Sequence, residues 1–262
     1  MPFMMFDYTP PSSDGGNVFV GTHVGNRTLS PDGGVSHLAS DNCGFGRDAI
    51  YSLTTGYANI AIGLGSLQFT TTGANNIAVG RATLAKNTTG QNNTAVGTSA
   101  MFENLTGIHN TALGLQAHYS NTSGSHNTSI GRDAGFSNST GSWNTNVGVD
   151  AGPGCSTGSG NTCVGGESGY GVGPLEVQAA NQNLTGSNNT WIGYQASNTG
   201  NHQDLNNVTA LGYRAQTDKD NQVVIGNPDV VETVLPGTVI IDGTPITGAQ
   251  VAALLALLTP SA

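Results

Sequence analysis

The sequence has little charge of either sign and very little positive charge. Lys and Arg together number seven, against 16 Asp and Glu, which gives a net charge of −9 and a pI near 4.8. A protein that binds nucleic acid or an anionic membrane surface needs a basic patch that neutralises phosphates. The composition therefore argues against both classes of partner, and we expect neither nucleic-acid binding nor insertion into a membrane.

The sequence also shows no long apolar run, no pattern typical of a cleavable leader and no even set of cysteines. No stretch of about 18 apolar residues is present, and the segment from Met1 to Asp7 has no positive charge ahead of an apolar run. Three cysteines, an odd number, argue against a disulfide framework. Cys43 and Cys163 are interpreted as small buried hydrophobic residues, and a disulfide between Cys155 and Cys163 is not expected in a reducing cytoplasm. We predict a chain that folds in the cytoplasm without a membrane anchor.

Glycine is abundant, with 39 residues, and it recurs at a fixed spacing. Between Asn42 and Gly165 the same glycine returns with a 17-residue period that never slips. A constant period over many copies is typical of a solenoid, in which each repeat forms one coil stacked on the last. Strong helix formers are scarce outside the C-terminus, so the fold class is predicted to be all-β. The recurring glycines are Gly46, Gly63, Gly80, Gly97, Gly114, Gly131, Gly148 and Gly165.

The strand of each repeat has two uncharged faces. In the copy that spans residues 89–101, alternation puts Thr94 and Val96 on one face and Ala95 on the other. Across the copies the column before the glycine is branched and apolar, and the column two before it is nearly all small. A coil this small has little interior of its own, so we predict a homotrimer in which neighbouring chains bury one strand face. The alternation alone does not indicate which face lies inside.

Two polar positions of the repeat carry structural predictions. The Asn that opens each strand is predicted to stack over its copies as an amide ladder, donating to one neighbour and accepting from the next. The Thr-Gly pair that precedes it, as in Thr72-Gly73 and Thr106-Gly107, is predicted to form a tight turn with glycine at positive φ. The ladder positions are Asn59, Asn76, Asn93, Asn110, Asn127, Asn144, Asn161 and Asn189.

The pattern divides the chain into three segments. Residues 1–41 are predicted to be an N-terminal attachment or capping segment with a divergent first coil. Residues 42–226 form the repeat domain. Residues 227–262 are predicted to supply closing strands and a short trimerising helix, because a capping box at residues 247–250 precedes apolar residues at helical spacing. Those apolar residues are Val251, Leu254, Leu255 and Leu258.

An acidic file is the first candidate site. Asp133, Asp150 and Glu167 each stand two residues after the coil glycine, on successive repeats. Parallel coils stack at about 4.8 Å, so these carboxylates would repel unless a cation such as Ca²⁺, or Arg132, neutralises them. They are weak metal candidates, and a solvated acidic stripe is the preferred interpretation. We predict no bound metal and no other cofactor.

A row of planar side chains is the second candidate site. His109, His126 and Trp143 occupy the position immediately before the ladder Asn on consecutive repeats. At an exposed turn such rings suit stacking on a sugar, and two stacked imidazoles could share a metal. Ordinary variation at a turn is the plainer alternative.

The third candidate site is a break in the repeat. The 28-residue spacing between Gly165 and Gly193 exceeds one period by 11. Binding residues concentrate on loops held by a rigid scaffold, so this excursion is predicted to contact a receptor together with the row of rings. The receptor contacts predicted in the excursion are Tyr170, Leu175 and Val177.

The Asn-Thr-Ala-Val-Gly-x-x-Ala repeat resembles the head domains of YadA-like trimeric autotransporter adhesins and their relatives in phage and viral tail fibre and spike proteins. The match covers roughly residues 42–226, and Asn221-Gln222-Val223-Val224-Ile225-Gly226 is nearest to the family motif. The resemblance implies a left-handed parallel β-roll, or β-solenoid, of three intertwined or side-by-side chains with a role in attachment. The 17-residue period is longer than that of the family, which implies larger turns.

The sequence therefore predicts a structural virion protein, a trimeric tail fibre or spike that is assembled in the host cytoplasm and mediates attachment to the host surface. Its expected partners are two further copies, other virion or baseplate proteins, and a host-surface glycan or protein. No catalytic constellation is visible, so the chain is predicted not to be an enzyme. Three alternatives remain: a tailspike that degrades polysaccharide, which needs a pair of carboxylates facing one groove, a bacterial surface adhesin head, and an ice-binding solenoid, suggested by a column of Thr.

Overall fold

The computed structural model describes residues 4–6, 16–25, 39–169, 185–199, 204–230, 239–241 and 244–246. The chain falls into two compact units, Met1–Asn227 and Pro228–Ala262. The strands are β1 (Met4–Phe6), β2 (Val18–Val20), β3 (Cys43–Phe45), β4 (Ile60–Ile62), β5 (Ile77–Val79), β6 (Thr94–Val96), β7 (Thr111–Leu113), β8 (Thr128–Ile130), β9 (Thr145–Val147), β10 (Thr162–Val164), β11 (Thr190–Ile192), β12 (Ser197–Asn198), β13 (Thr209–Leu211), β14 (Gln216–Thr217), β15 (Val223–Ile225), β16 (Val239–Ile241) and β17 (Thr244–Ile246).

A 13-stranded sheet runs through the first unit in the order β1 to β11, then β13 and β15. Strand β1 is antiparallel to β2, and each later strand is parallel to the one before it, in register with the repeat. A second sheet pairs β12 with β14, and the second unit contains the antiparallel pair β16 and β17. The predicted all-β parallel solenoid of 17-residue coils is confirmed, and the described residues contain no helix. The left-handed winding remains a prediction, and the predicted helix at residues 251–258 lies outside the described residues.

The small residue of each strand points into its coil. Ala61, Ala78 and Ala95 are completely buried. They share the interior with the residue four after the coil glycine, such as Leu67 and Leu84, which are also completely buried. Because the strand alternates, the branched residues before the coil glycine lie on the outside. The structure thus shows which strand face is buried, which the sequence alone did not indicate.

Two positions face each other inside each coil, one on the strand and one four residues after the coil glycine. Along the stack, the larger side chain changes from one of these positions to the other. In the early coils a large residue four after the glycine, from Ile50 to Met101, faces a Gly or Ala of the strand. In the later coils the large residue becomes glycine and the strand residue grows. A Cβ placed on Gly152 or Gly169 would lie 3.1 or 2.7 Å from the Cys163 sulfur, so the space is already filled. The exchange keeps the interior close-packed with two different sets of side chains. The later pairs are Ser129 with Gly135, Asn146 with Gly152, and Cys163 with Gly169.

The predicted amide ladder is confirmed. The Asn93 Oδ1 atom accepts the backbone N–H of Asn110 at 3.0 Å and its side-chain Nδ2–H at 3.2 Å. The same Nδ2 group donates to the Gly124 carbonyl at 2.8 Å. Every ladder residue is buried, so each amide satisfies polar backbone groups that water cannot reach. The ladder fixes the register of one coil on the next.

A second buried ladder of asparagines was not predicted. The Asn104 Nδ2 group donates to the Asn87 Oδ1 atom at 2.8 Å, and the Asn121 Nδ2 group donates to the Asn104 Oδ1 atom at 2.6 Å. Each residue stands seven after its coil glycine and also donates to a glycine carbonyl three residues on, as Asn138 does. The 17-residue spacing within this set was the available signal.

The prediction for the Thr-Gly turns is wrong in its reason for glycine. Gly73 does not have a positive φ. A Cβ there would stand 2.6 Å from the Gly90 carbonyl oxygen and 2.8 Å from the Asn87 Nδ2 atom, so glycine allows the backbones of adjacent coils to approach. Positive φ occurs two positions later, at Asn75 and Asn92, both with φ of 57°.

The outer side of the sheet carries a column of apolar residues that is open to solvent in the single chain. The column before the coil glycine includes Ile62, Leu113 and Ile130, all exposed, and Leu113 is 48% accessible. A second column, three before the glycine, has apolar residues at its two ends and a run of threonines from Thr94 to Thr209 between them; the apolar members are Val18, Cys43, Ile60, Ile77 and Val223. Contiguous exposed apolar surface of this kind marks an interaction site. We call these two columns the outer face.

One polar side chain interrupts the apolar interior. His118 occupies the position of Leu84 and Met101 and is completely buried. Its Nδ1 atom lies 3.3 Å from the Ser129 Oγ atom, and its Nε2 atom has no partner among the described residues. Burial disfavours the charged ring and lowers the pKa of His118 from 6.5 to about 4, against a smaller opposing effect of a hydrogen bond to the Gly135 backbone.

Acidification should therefore destabilise the fold through His118. Below pH 6.5 the unfolded chain takes up a proton that the folded coil refuses until about pH 4, so stability falls as the pH drops across this window. The shift corresponds to about 3 kcal/mol of unfolding free energy for each chain. Chemical denaturation of wild type and His118→Leu at pH 7 and pH 4.5 measures it, and the variant should lose much less stability. Met101→Leu, at the same position one coil earlier, should keep the wild-type loss; equal losses in wild type and His118→Leu would contradict the prediction.

Candidate binding site

The predicted row of rings is present as a continuous stack on the surface. The rings of His109 and His126 have centroids 5.0 Å apart and an interplanar angle of 13°. The rings of His126 and Trp143 are 4.0 Å apart at 5°. Trp143 is 66% exposed. We call these three residues the aromatic stripe; the structure brings them together as the 17-residue spacing indicated.

The local backbone presents one ring per coil. All three residues of the aromatic stripe have positive φ, between 57° and 62°, and each directly precedes a buried ladder Asn. The Trp143 backbone N–H donates to the Ser125 carbonyl at 3.0 Å, which holds its turn against the turn of the previous coil. Because the ladder fixes the next residue inside, the ring is left on the outside. The stripe is therefore rigidly spaced by the coil repeat.

A column of serine hydroxyls lies beside the aromatic stripe, one residue before His126, Trp143, Gly160 and Asn188 on successive coils. The backbone N–H of Ser125 donates to the Ser142 Oγ atom at 3.0 Å, and that of Ser142 donates to the Ser159 Oγ atom at 3.0 Å. Ser159 makes the same bond to Ser187. The hydroxyls are half-buried and uncharged. Planar rings bordered by neutral hydroxyl groups can bind a ligand with one apolar face and a polar edge.

The carboxylates of the acidic file have partners within the chain: two of them share one Arg, and neutral side chains bind the third. The Arg132 Nη2 atom lies 2.7 Å from the Asp150 Oδ2 atom, and its Nε atom lies 3.5 Å from the Asp133 Oδ2 atom. Glu167 instead accepts a hydrogen bond from the Gln195 Nε2 group at 2.7 Å. Partial burial, and secondly the charge of Asp150, raise the pKa of Asp133, with Arg132 opposing. Within the described residues no group of three or more His, Cys, Asp or Glu side chains could hold a metal ion.

The end of the acidic file continues into a pair of tyrosines. The Tyr194 hydroxyl donates to the Glu167 Oε1 atom at 3.3 Å, and the Tyr194 ring stacks on Tyr213 at 6.1 Å. The neighbouring Glu167 carboxylate is the main cause of a raised pKa of Tyr194. Arg214 lies over the Tyr213 ring at 5.4 Å. Each carboxylate of the acidic file therefore already contacts a nearby side chain of the same chain.

A second stack of rings was not predicted. Phe102 and Tyr119 have ring centroids 5.3 Å apart at 8°, and Tyr119 and Phe136 follow at 5.1 Å and 7°. Lys86 lies 5.2 Å above the Phe102 ring and pairs with the Glu103 carboxylate at 2.7 Å. The three rings are only half exposed. Their 17-residue spacing carried the signal.

The remaining predicted contacts, Tyr170, Leu175 and Val177, lie outside the described residues. The chain enters the excursion after Gly169 and is described again from Thr185. No helix of the described part of the chain is long and apolar enough to cross a bilayer.

A solved adhesin domain is similar to this chain, whereas no protein family description and no curated protein match the sequence. The similarity is to the crystal structure of the collagen-binding domain of the Yersinia adhesin YadA, with 16% sequence identity and a TM-score of 0.37. That match covers 78% of this chain and 86% of the YadA domain. Similarity at this level does not indicate a shared function, and the strand pairing of the chain itself defines the fold.

Proposed function

We propose that the protein is a non-enzymatic attachment protein, a trimeric shaft that carries binding surfaces to a host cell. The outer face is the observation that supports it most directly. Successive coils present to solvent one column of apolar residues beside a second column that is largely Thr, in parallel register along the sheet from β2 to β15. A protomer with such a face gains stability by burying it against identical faces, and closed symmetry is the usual way in which copies do so.

The resemblance of the repeat to trimeric adhesin heads favours three copies over two. The proposed setting is a virion, with the chain as a tail fibre or spike that is joined to other virion or baseplate proteins and assembled in the host cytoplasm. A bacterial surface adhesin head is the second candidate, because it needs the same shaft and the same exposed stack of rings.

An enzymatic role and an ice-binding role have less support. A polysaccharide-degrading tailspike needs a free acid and a free carboxylate facing one groove. Asp133 and Asp150 share Arg132 instead, and Glu167 is bound by Gln195. An ice-binding surface would use the threonines of the outer face as an open array, whereas assembly through that face would cover them.

Light scattering on a sizing column tests the assembly. The wild-type chain of 26.5 kDa should run as a particle of about 80 kDa, three times its mass. Leu113→Lys puts a charge on the outer face and should prevent assembly. Leu115→Lys is the matched control, because Leu115 is equally exposed at 46% but lies outside the strand, where the next coil carries Arg132. A stable folded wild-type monomer, or equal assembly of the two variants, would overturn the proposed interface.

A further inference from the structure

The aromatic stripe ends in an open ring face. His126 covers one face of Trp143 at 4.0 Å. On the next coil the corresponding position is Gly160, which has no side chain to continue the stack. Trp143 therefore remains 66% exposed although its ring is part of a stack.

The coil above Trp143 continues the register of the aromatic stripe without a ring of its own. The Gly160 backbone N–H donates to the Ser142 carbonyl at 3.0 Å, and the Asn188 N–H donates to the Ser159 carbonyl at 2.9 Å, so both coils keep the register of the stripe. The next side chain on this line belongs to Asn188, whose backbone lies two coils from that of Trp143, roughly 9 to 10 Å away at the spacing of parallel strands. The Asn188 amide turns toward Gly160, so it lines the inner side of the space over the open face of Trp143.

The border of this space is polar and neutral. A Cβ built on Gly160 would lie 2.8 Å from the Asn188 Oδ1 atom, and its three nearest neighbours all belong to Asn188. The side chain of Asn188 is exposed, and the half-buried Ser159 and Ser187 hydroxyl column runs alongside. None of these residues is charged. We call the space between Trp143 and Asn188 the Gly160 slot.

We propose that the Gly160 slot binds one ring of a neutral saccharide. The apolar face of a pyranose would continue the stack on Trp143, and its hydroxyl groups would reach the Asn188 amide and the serine column. This assignment rests on the proposed function, since it names the ligand class of the attachment surface. The net charge of −9 disfavours an acidic sugar, and the polar border favours a ring with many hydroxyl groups over an aromatic side chain.

Tryptophan fluorescence gives a direct readout in the intact protein. The chain has two tryptophans, and Trp191 is completely buried, so acrylamide quenches Trp143 selectively. The probes are neutral oligosaccharides built from glucose, galactose or mannose. At least one should protect Trp143 from quenching, with an affinity measurable by calorimetry. If none of them protects Trp143, or if phenylalanine amide protects it and no saccharide does, the assignment is wrong.

Two histidine substitutions form a matched pair. Gly160→His extends the stripe over Trp143: His109 and His126 have the positive φ that this turn requires, and the Asn188 amide, whose oxygen would lie 2.8 Å from the new Cβ, must rotate away. It should raise the Kd of the protective saccharide at least tenfold. Asn92→His extends the stripe at its other end, leaves the slot open, and should change the Kd less than twofold. An unchanged Kd in Gly160→His would overturn the proposal.

Adsorption to host cells separates this inference from the proposed function. If trimeric Gly160→His loses saccharide binding and adsorption together, both are supported. If it adsorbs fully while saccharide binding is lost, the slot is not the attachment site. In that case the proposed function stands only if replacement of residues 170–177 by a Gly-Ser linker abolishes adsorption. Wild-type trimer that never adsorbs would refute the proposed function whatever the slot binds.

Discussion

Gly114→Val should abolish folding of the repeat unit. Gly114 has a φ of 138°, in a region that a β-branched residue does not adopt. A Cβ there would also collide with the carbonyl oxygen of Gly131 on the next coil and stand 3.1 Å from the Arg132 nitrogen. Backbone on a stacked coil cannot move aside without breaking the sheet. We expect a loss of about 4 kcal/mol or more, at the severe end of single substitutions.

The neighbouring residue supplies the control. Leu115 is exposed, and the coil two repeats later has Val149 at the same position, so Leu115→Val should change stability by no more than about 0.5 kcal/mol. Gln116, although variable in sequence, is a poor control because its own φ is 54°. Circular dichroism during thermal unfolding compares the two variants. Similar melting temperatures for Gly114→Val and Leu115→Val would show that the coil glycine is dispensable.

Asn93→Ala should be the second most damaging change. It removes the Oδ1 atom that accepts both N–H groups of Asn110, and the Nδ2 group that donates to the Gly107 carbonyl at 2.8 Å. All of these groups are buried, and each buried group without a partner costs about 1 to 3 kcal/mol. We expect a loss of roughly 4 kcal/mol, measured by chemical denaturation of the assembled protein.

The adjacent asparagine is a control that separates the effect of the ladder from the effect of replacing an asparagine. Asn92 is exposed, has a φ of 57°, and corresponds to Ala58 in an earlier coil, where φ is 53°. Asn92→Ala should therefore cost no more than about 1 kcal/mol. If Asn92→Ala and Asn93→Ala destabilise equally, the amide ladder does not stabilise the stack in the way we describe.

The regular features of this fold were predictable because the repeat period says which residues stack on each other. Residues 17 apart lie on top of each other in a solenoid, so the Asn93 to Asn110 ladder and the contact of His126 with Trp143 followed from spacing alone. The unpredicted ladder of Asn87 and Asn104 follows the same 17-residue spacing, so it could have been predicted from the sequence as well.

Burial was not predictable from the repeat. Alternation puts Ala95 and Val96 on opposite faces of the strand, but it does not say which face is buried. Only the closed coil of the structure shows that the smaller residue, Ala95, lies inside. The turn glycine Gly73 was assigned to positive φ because most turn glycines adopt it, whereas the requirement here is the approach of Gly90, a contact between coils. The environment of His118 likewise depends on the coil that stacks on it.

The exchange of size inside the coils limits how such a gene can change length. Duplicating a 17-residue unit among the early coils repeats a pair such as Ala78 and Leu84 beside its own kind, and the new unit fits its neighbours. A unit with Leu84 inserted beside Asn146 or Cys163 would put a large side chain where the chain now has glycine. The strand side chains of Asn146 and Cys163 already fill that space. The coils from Ile50 to Gly169 therefore form two sets with different interiors, and we expect the repeat to lengthen by duplication within a set rather than by moving units between the two.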